Sequence, residues 1–196
     1  MIGSGAVFAT SATVPLDGGT SFLTAPAANA GPPVIGSGFV LFGNSSGSLV
    51  KMAYGSSGFD AGTALSVAAD AGNLQATMPV LGEGALAYAI GSGGTLTVRR
   101  AADLSEVWTA PLASVSGAGG ISQMALDVYR TSAGVKDCTK PFGILYVTTR
   151  TGTTATLRAI LVDSKGLDSN APWPKYQRTN ANTGNIDLPT SPWTCP

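Results

Sequence analysis

The chain of 196 residues is 44% hydrophobic and only 11% charged, and its eleven Lys and Arg balance eleven Asp and Glu at zero net charge. That balance excludes a basic surface holding nucleic acid by counterion release, and the apolar content excludes ordinary charge-driven disorder. Histidine is absent, which removes the usual acid–base group near neutral pH and the commonest metal ligand.

The length suits one domain with a real core. No apolar run approaches the 18 or so residues of a membrane-spanning helix. Met1 is followed by Ile2-Gly3-Ser4-Gly5 without a basic region, a sustained apolar run or a cleavage site, so no signal peptide is expected in this chain. Cys138 and Cys195 lie far apart, the second one residue from the end. With the low charge, they predict a disulfide that ties down the tail of an exported protein. An export-like composition without a signal suggests that residue 1 is not the natural start, and that the chain is a C-terminal piece of a longer one.

Taken in chain order, the elements repeat. Ile2-Gly3-Ser4-Gly5 precedes the apolar Ala6-Val7-Phe8-Ala9, and Pro33-Val34-Ile35-Gly36-Ser37-Gly38 precedes Phe39-Val40-Leu41-Phe42. Pro79-Val80-Leu81-Gly82-Glu83-Gly84 precedes Ala85-Leu86-Ala87-Tyr88, and Ile121 to Leu126 opens a fourth unit without the glycines. Within a unit, a second glycine-rich turn follows the apolar strand, as in Gly43-Asn44-Ser45-Ser46-Gly47 or Gly91-Ser92-Gly93-Gly94. A period-2 strand comes next, as in Thr95 to Arg99, where Leu96 and Val98 share a face. Phe142 to Thr149 and Thr154 to Val162 are the clearest strands, rich in β-formers. Gly72, Thr63 and Val67 argue against a helix over 62–76.

The expected fold is therefore all-β. Units of roughly 40 to 46 residues with several short strands each are the signature of propeller blades; a β-sandwich of short strands is the competing architecture. The reading is about four propeller-type blades over 1–168, starting near 1, 33, 79 and 121, in an incomplete or small propeller. An extended Pro- and Trp-rich strap covers 169–196.

The stretch Leu96-Thr97-Val98-Arg99-Arg100-Ala101-Ala102-Asp103-Leu104-Ser105-Glu106-Val107-Trp108 resembles the outer-strand motif of quinoprotein-like β-propellers, the pyrroloquinoline-quinone type. Their repeat runs from an alternating strand through an Asp-Ala-x-Thr-Gly-Lys turn to two apolar residues and Trp. Leu96, Val98, Ala101, Val107 and Trp108 match, whereas Arg100 replaces the Asp and Leu104 the turn Gly. The tail Ala171-Pro172-Trp173-Pro174-Lys175-Tyr176 to Asn185 is similar to the Trp-Pro-x-Phe segment that ends such sequences, with Thr179 where an Asp is usual. The resemblance implies that Trp108 packs between neighbouring sheets.

Candidate chemistry is sparse. Gly43-Asn44-Ser45-Ser46-Gly47 fits the Gly-x-Ser-x-Gly elbow, but a strand follows it and no histidine exists to take the serine proton, so it reads as a hairpin turn. Gly91 to Gly94 opens a strand rather than the helix that a phosphate loop needs. Asp163 to Asn170 lacks the alternating carboxylates and closing Glu of a calcium loop, and its Asp and Asn read as turn caps. Zinc is excluded by two distant cysteines and no histidine. Glu83, Asp103 and Glu106 read as solvent-facing turn acids. The quinone chemistry of the resembled group needs acidic calcium ligands, a catalytic Asp and, in many members, a vicinal cysteine pair; none maps onto this sequence. No catalytic, cofactor or metal residue is assigned. Trp173, Tyr176 and Trp193 read as aromatics of a strap packed on the last blade.

The expected function is a non-catalytic binding or scaffolding module of an exported bacterial protein, at the cell surface, in the periplasm or outside the cell. Its partner is an unknown protein or small molecule, with no nucleic acid and no cofactor. The alternative is a fragment of a quinoprotein-like oxidoreductase whose active residues lie in missing N-terminal blades.

Overall fold

The computed structural model describes residues 31–55, 58–68, 74, 79–112, 124–151, 153–175, 180–181 and 191–195, together with backbone strands at 6–9 and 21–24. Strands β1 (Ala6–Ala9) and β2 (Ser21–Thr24) form an antiparallel pair. Sheet one holds β3 (Val34–Gly36), β4 (Phe39–Gly43), β5 (Ser48–Gly55) and β6 (Gly58–Ala68) in that spatial order. Sheet two repeats the plan with β7 (Val80–Gly82), β8 (Leu86–Ile90), β9 (Thr95–Arg100) and β10 (Glu106–Pro111). Sheet three is β11 (Ala125–Val128), β12 (Gly143–Thr151) and β13 (Thr154–Val162), and β2 lies beside β6. All pairs are antiparallel, and no α-helix occurs among the described residues; one 3-10 turn, η1, covers Ser191–Trp193.

Each sheet is a meander whose strands neighbour one another in chain order. The turns explain why. Asn44 is fully buried, and its Oδ1 accepts from the Ser46 and Ser48 amides at 3.0 and 2.9 Å and from Ser46 Oγ at 2.8 Å. One side chain thus closes the β4–β5 hairpin, as Asx turns do. Gly47 sits at φ 79° there, a conformation costly to residues with a Cβ. The elbow-like sequence is a turn between two strands.

The three sheets stack. Val34, Leu41 and Leu49 of sheet one pack against Leu81, Ala87 and Ala89 of sheet two, with Leu74 and Leu104 in the same cluster. The opposite face of sheet two carries Val80, Tyr88, Ile90, Leu96 and Val98, which meet Leu126, Leu145, Val147 and Val162 of sheet three. The far face of sheet one is buried as well, through Val40, Phe42, Val50 and Met52. Sheet two is thus apolar on both faces, and the rule of one solvated face for antiparallel sheets does not apply to it.

The first strands β3, β7 and β11 are neighbours in turn. Their outward edges are taken up by the C-terminal segment. Ile35 and Trp173 exchange backbone hydrogen bonds at 2.8 and 3.0 Å. The Leu81 amide donates to Pro174 O, that of Asp168 to Leu81 O, and that of Glu83 to Gly166 O. Asn180 Nδ2 reaches Leu126 O of β11 at 2.8 Å. The chain end is then held by a disulfide between Cys138 and Cys195, with Cα atoms 5.6 Å apart. Arg130 donates to Pro192 O at 2.9 Å and Lys136 to Thr194 O at 3.0 Å beside it.

The expected all-β class is thus present; of the segment 169–196 read as a strap, residues 176–179, 182–190 and 196 lie outside the described residues. The unit placed at 121 begins with β11 at Ala125 among the described residues and shows three strands there. The two-stranded β1–β2 pair stands where the first unit was expected. Among the described residues, no sheet closes on itself.

Candidate ligand cleft

Of the aromatics singled out in the sequence, Trp108 stands on β10, half buried against the cluster between sheets two and three. Its indole N–H donates to Asp163 Oδ2 at the end of β13, 3.0 Å away. Trp173 pairs with β3 and is half buried, and Trp193 packs against the same cluster as Trp108. Tyr176 and Thr179 lie outside the described residues. The turn before Trp108 holds Leu104 at φ 60° with its side chain fully buried. This is the position at which the resembled motif carries glycine, the residue that adopts such a φ without strain.

An open cleft of about 550 Å³ lies between sheets one and two. Its floor comes from sheet one. Lys51 and Phe39 point from β5 and β4 toward sheet two, because both share the face of Leu41 and Leu49 in the β4–β5 register. The Lys51 ammonium lies 4.8 Å from the Phe39 ring centroid, and Nζ donates to Ala102 O in the β9–β10 turn. Burial lowers the Lys51 pKa, and the Asp103 carboxylate partly opposes the shift. This lysine joins the two sheets, and its ammonium faces the cleft.

The opposite wall is acidic. Glu83 sits in the β7–β8 turn, and its Oε1 accepts from the Ser169 amide at 3.2 Å. Asp168 is placed by the hydrogen bond from its own amide to Leu81 O, and its Oδ1 accepts from the Asn170 amide at 2.9 Å. Burial pushes the Asp168 carboxyl above its usual range, the Asn170 amide opposes this, and the negative charge of Glu83 adds to it. The sequence reading of residues 163–170 as a self-capped turn therefore matches the local geometry, while the long-range pairing that carries Asp168 to the cleft was invisible to it. Asn170 completes the polar rim.

Two further polar sites were not apparent from the sequence. Arg99, 9% exposed, stands on the sheet-one side of β9 opposite Ala87; it donates from Nη1 to Leu104 O and from Nη2 to Ala68 O, both at 2.9 Å. It secures the strained turn at Leu104 and links β9 to β6. Lys175, 2% exposed, lies in the C-terminal segment just after Pro174, and burial lowers its pKa to about 8.

The cleft combines a cation, two carboxylates, an amide and an aromatic ring. Ser37 lines it as well. No group of three or more His, Cys, Asp or Glu gathers for a metal among the described residues. The arrangement can bind polar groups.

No protein-family model and no curated protein matches this sequence. The resemblance to quinoprotein-like propellers rests on the Trp108 turn and the tail motif.

Proposed function

We propose that the chain is a non-catalytic, propeller-type binding module of an exported protein, and that the cleft between sheets one and two takes a small polar ligand. The observation that carries this reading is the facing of Lys51 and the Glu83–Asp168 pair across one open cleft between two stacked four-stranded meanders. Stacked meanders with neighbouring first strands accord with propeller blades. The disulfide accords with an oxidising compartment.

The test is an amide chemical-shift titration of the folded chain, with an amino-acid mixture and a monosaccharide mixture as separate probes at about 10 mM, in the mM range of weak small-ligand binding. Movement confined to Glu83, Ala102 and Asn170, and lost in Lys51→Met, supports the cleft. Unmoved signals with every probe would remove ligand binding there and leave a scaffold.

The left-handed Leu104 at the motif's glycine position favours a second reading, a fragment of a quinoprotein-like oxidoreductase. Pyrroloquinoline quinone and calcium added to the chain separate the two. Stoichiometric bound-cofactor absorbance would sink the non-catalytic reading.

A further inference from the structure

The three sheets present six faces, and five are buried in the clusters described above. The sixth is the outer face of sheet three. In the β11–β12–β13 register, Leu145, Val147, Ile160 and Val162 turn inward, which leaves Ile144, Tyr146 and Thr148 on the outer face opposite Leu161, Ala159 and Leu157. Leu157 is 68% exposed and Leu161 61%. We propose that this face is where two copies of the chain associate, stacking sheet three on sheet three.

Three properties select a second copy as the occupant. The exposed row Leu157–Ala159–Leu161 is symmetric about Ala159. A two-fold axis between the faces, perpendicular to β13, therefore sets Leu157 of one copy over Leu161 of the other, the self-complementarity an isologous contact needs. Asp127 on this face is held by Arg130 at 3.1 Å, so these two charges pair within one copy and leave little for discrimination toward an unlike partner. The net charge is zero, so copies do not repel. By contrast, the exposed strand β10 is blunted by a bulge between Glu106 and Trp108, by the Glu106 charge and by Pro111, devices that discourage association. No shift of register interrupts the pairing of β13 with β12, and β13 has no proline and no acid.

Size sets the strength. Nine residues span about 30 Å and three strands about 14 Å, so the face offers roughly 400 Å² per copy. The total of about 800 Å² falls below the usual range of stable interfaces, which begins near 1,200 Å², so the dimer is weak and exchanging.

Sedimentation velocity of the full chain, from about 5 to 500 μM, brackets the micromolar affinities of weak contacts. The parent should shift from monomer toward dimer across that range. Leu157→Lys with Leu161→Lys should weaken association at least tenfold, as should Leu157→Thr with Leu161→Thr, which keeps β propensity. Val135→Lys removes a 63% exposed apolar side chain elsewhere and should associate like the parent. A parent that stays monomeric throughout overturns the proposal. So does a double variant that dimerises like the parent, or a Val135→Lys effect as large as that of the double variants.

Discussion

Removing the disulfide by Cys138→Ser with Cys195→Ser isolates the contribution of the stapled tail. The bridge spans 57 residues of sequence, a segment that contains β12, β13 and the strap. Closing a loop of that size removes roughly 14 cal/mol/K from the unfolded chain, or about 4 kcal/mol at 25 °C, in the chain-entropy treatment. The native side changes little, because Arg130, Lys136 and the Leu167 amide still hold Pro192, Thr194 and Trp193. With a urea m-value of about 2 kcal/mol/M, the midpoint should fall by about 2 M. The assay is a urea titration of parent and double variant, repeated with reductant, in which the reduced parent should coincide with the variant. A midpoint shift under about 0.5 M, against the roughly 2 M expected from loop entropy, would refute the reasoning and leave the hydrogen bonds at the chain end as the main restraint.

Stability should rise and then fall with alkaline pH. The folded pKa of Lys175, lowered to about 8 by burial, lies below its ordinary 10.5; the unfolded chain binds the extra proton between those values, so stability climbs by about 3 kcal/mol from pH 8 to 10.5. Burial raises the Tyr88 phenol from 10 to about 12, so stability present below pH 10 is lost between pH 10 and 12, again by about 3 kcal/mol. Urea midpoints measured from pH 7 to 12 should therefore peak near 10, and a monotonic decline would contradict the burial of Lys175. Asn44→Ala strands the Ser46 and Ser48 amides that its Oδ1 now accepts and should cost about 2–4 kcal/mol, read from urea unfolding. Ala85, at φ 56° in the β7–β8 turn, should gain roughly 1 kcal/mol on replacement by Gly. Leu104→Gly relieves similar strain but empties a fully buried site and should lose about 1–3 kcal/mol net; equal signs for the two glycine variants would defeat this comparison.

What the sequence revealed depended on periodicity. β12 and β13 were legible because their residues are β-formers bounded by Arg150-Thr151-Gly152-Thr153, and β3 and β7 because each follows a Pro-Val start and precedes a Gly-x-Gly turn. Arg99 was not legible. Alternation with Leu96 and Val98 sends it to the other face of β9, which a single sheet would expose to water. Stacking buries that face too, and the guanidinium reaches Leu104 O and Ala68 O. The cleft was hidden for a related reason. Asp168 arrives through backbone pairing with Leu81, which no side-chain pattern encodes, and Lys51 faces inward only because sheet two lies opposite it.

The edge pairing by the C-terminal segment has a consequence for the order of synthesis. β3 ends at Gly36, yet the partner of Ile35 is Trp173, more than 130 positions later, and the partner of Gly82 is Leu167. A chain emerging from the N-terminus therefore carries open first strands until residues 166–174 have been made. Such non-local closure slows folding. The late cysteine then locks what the late strands have closed.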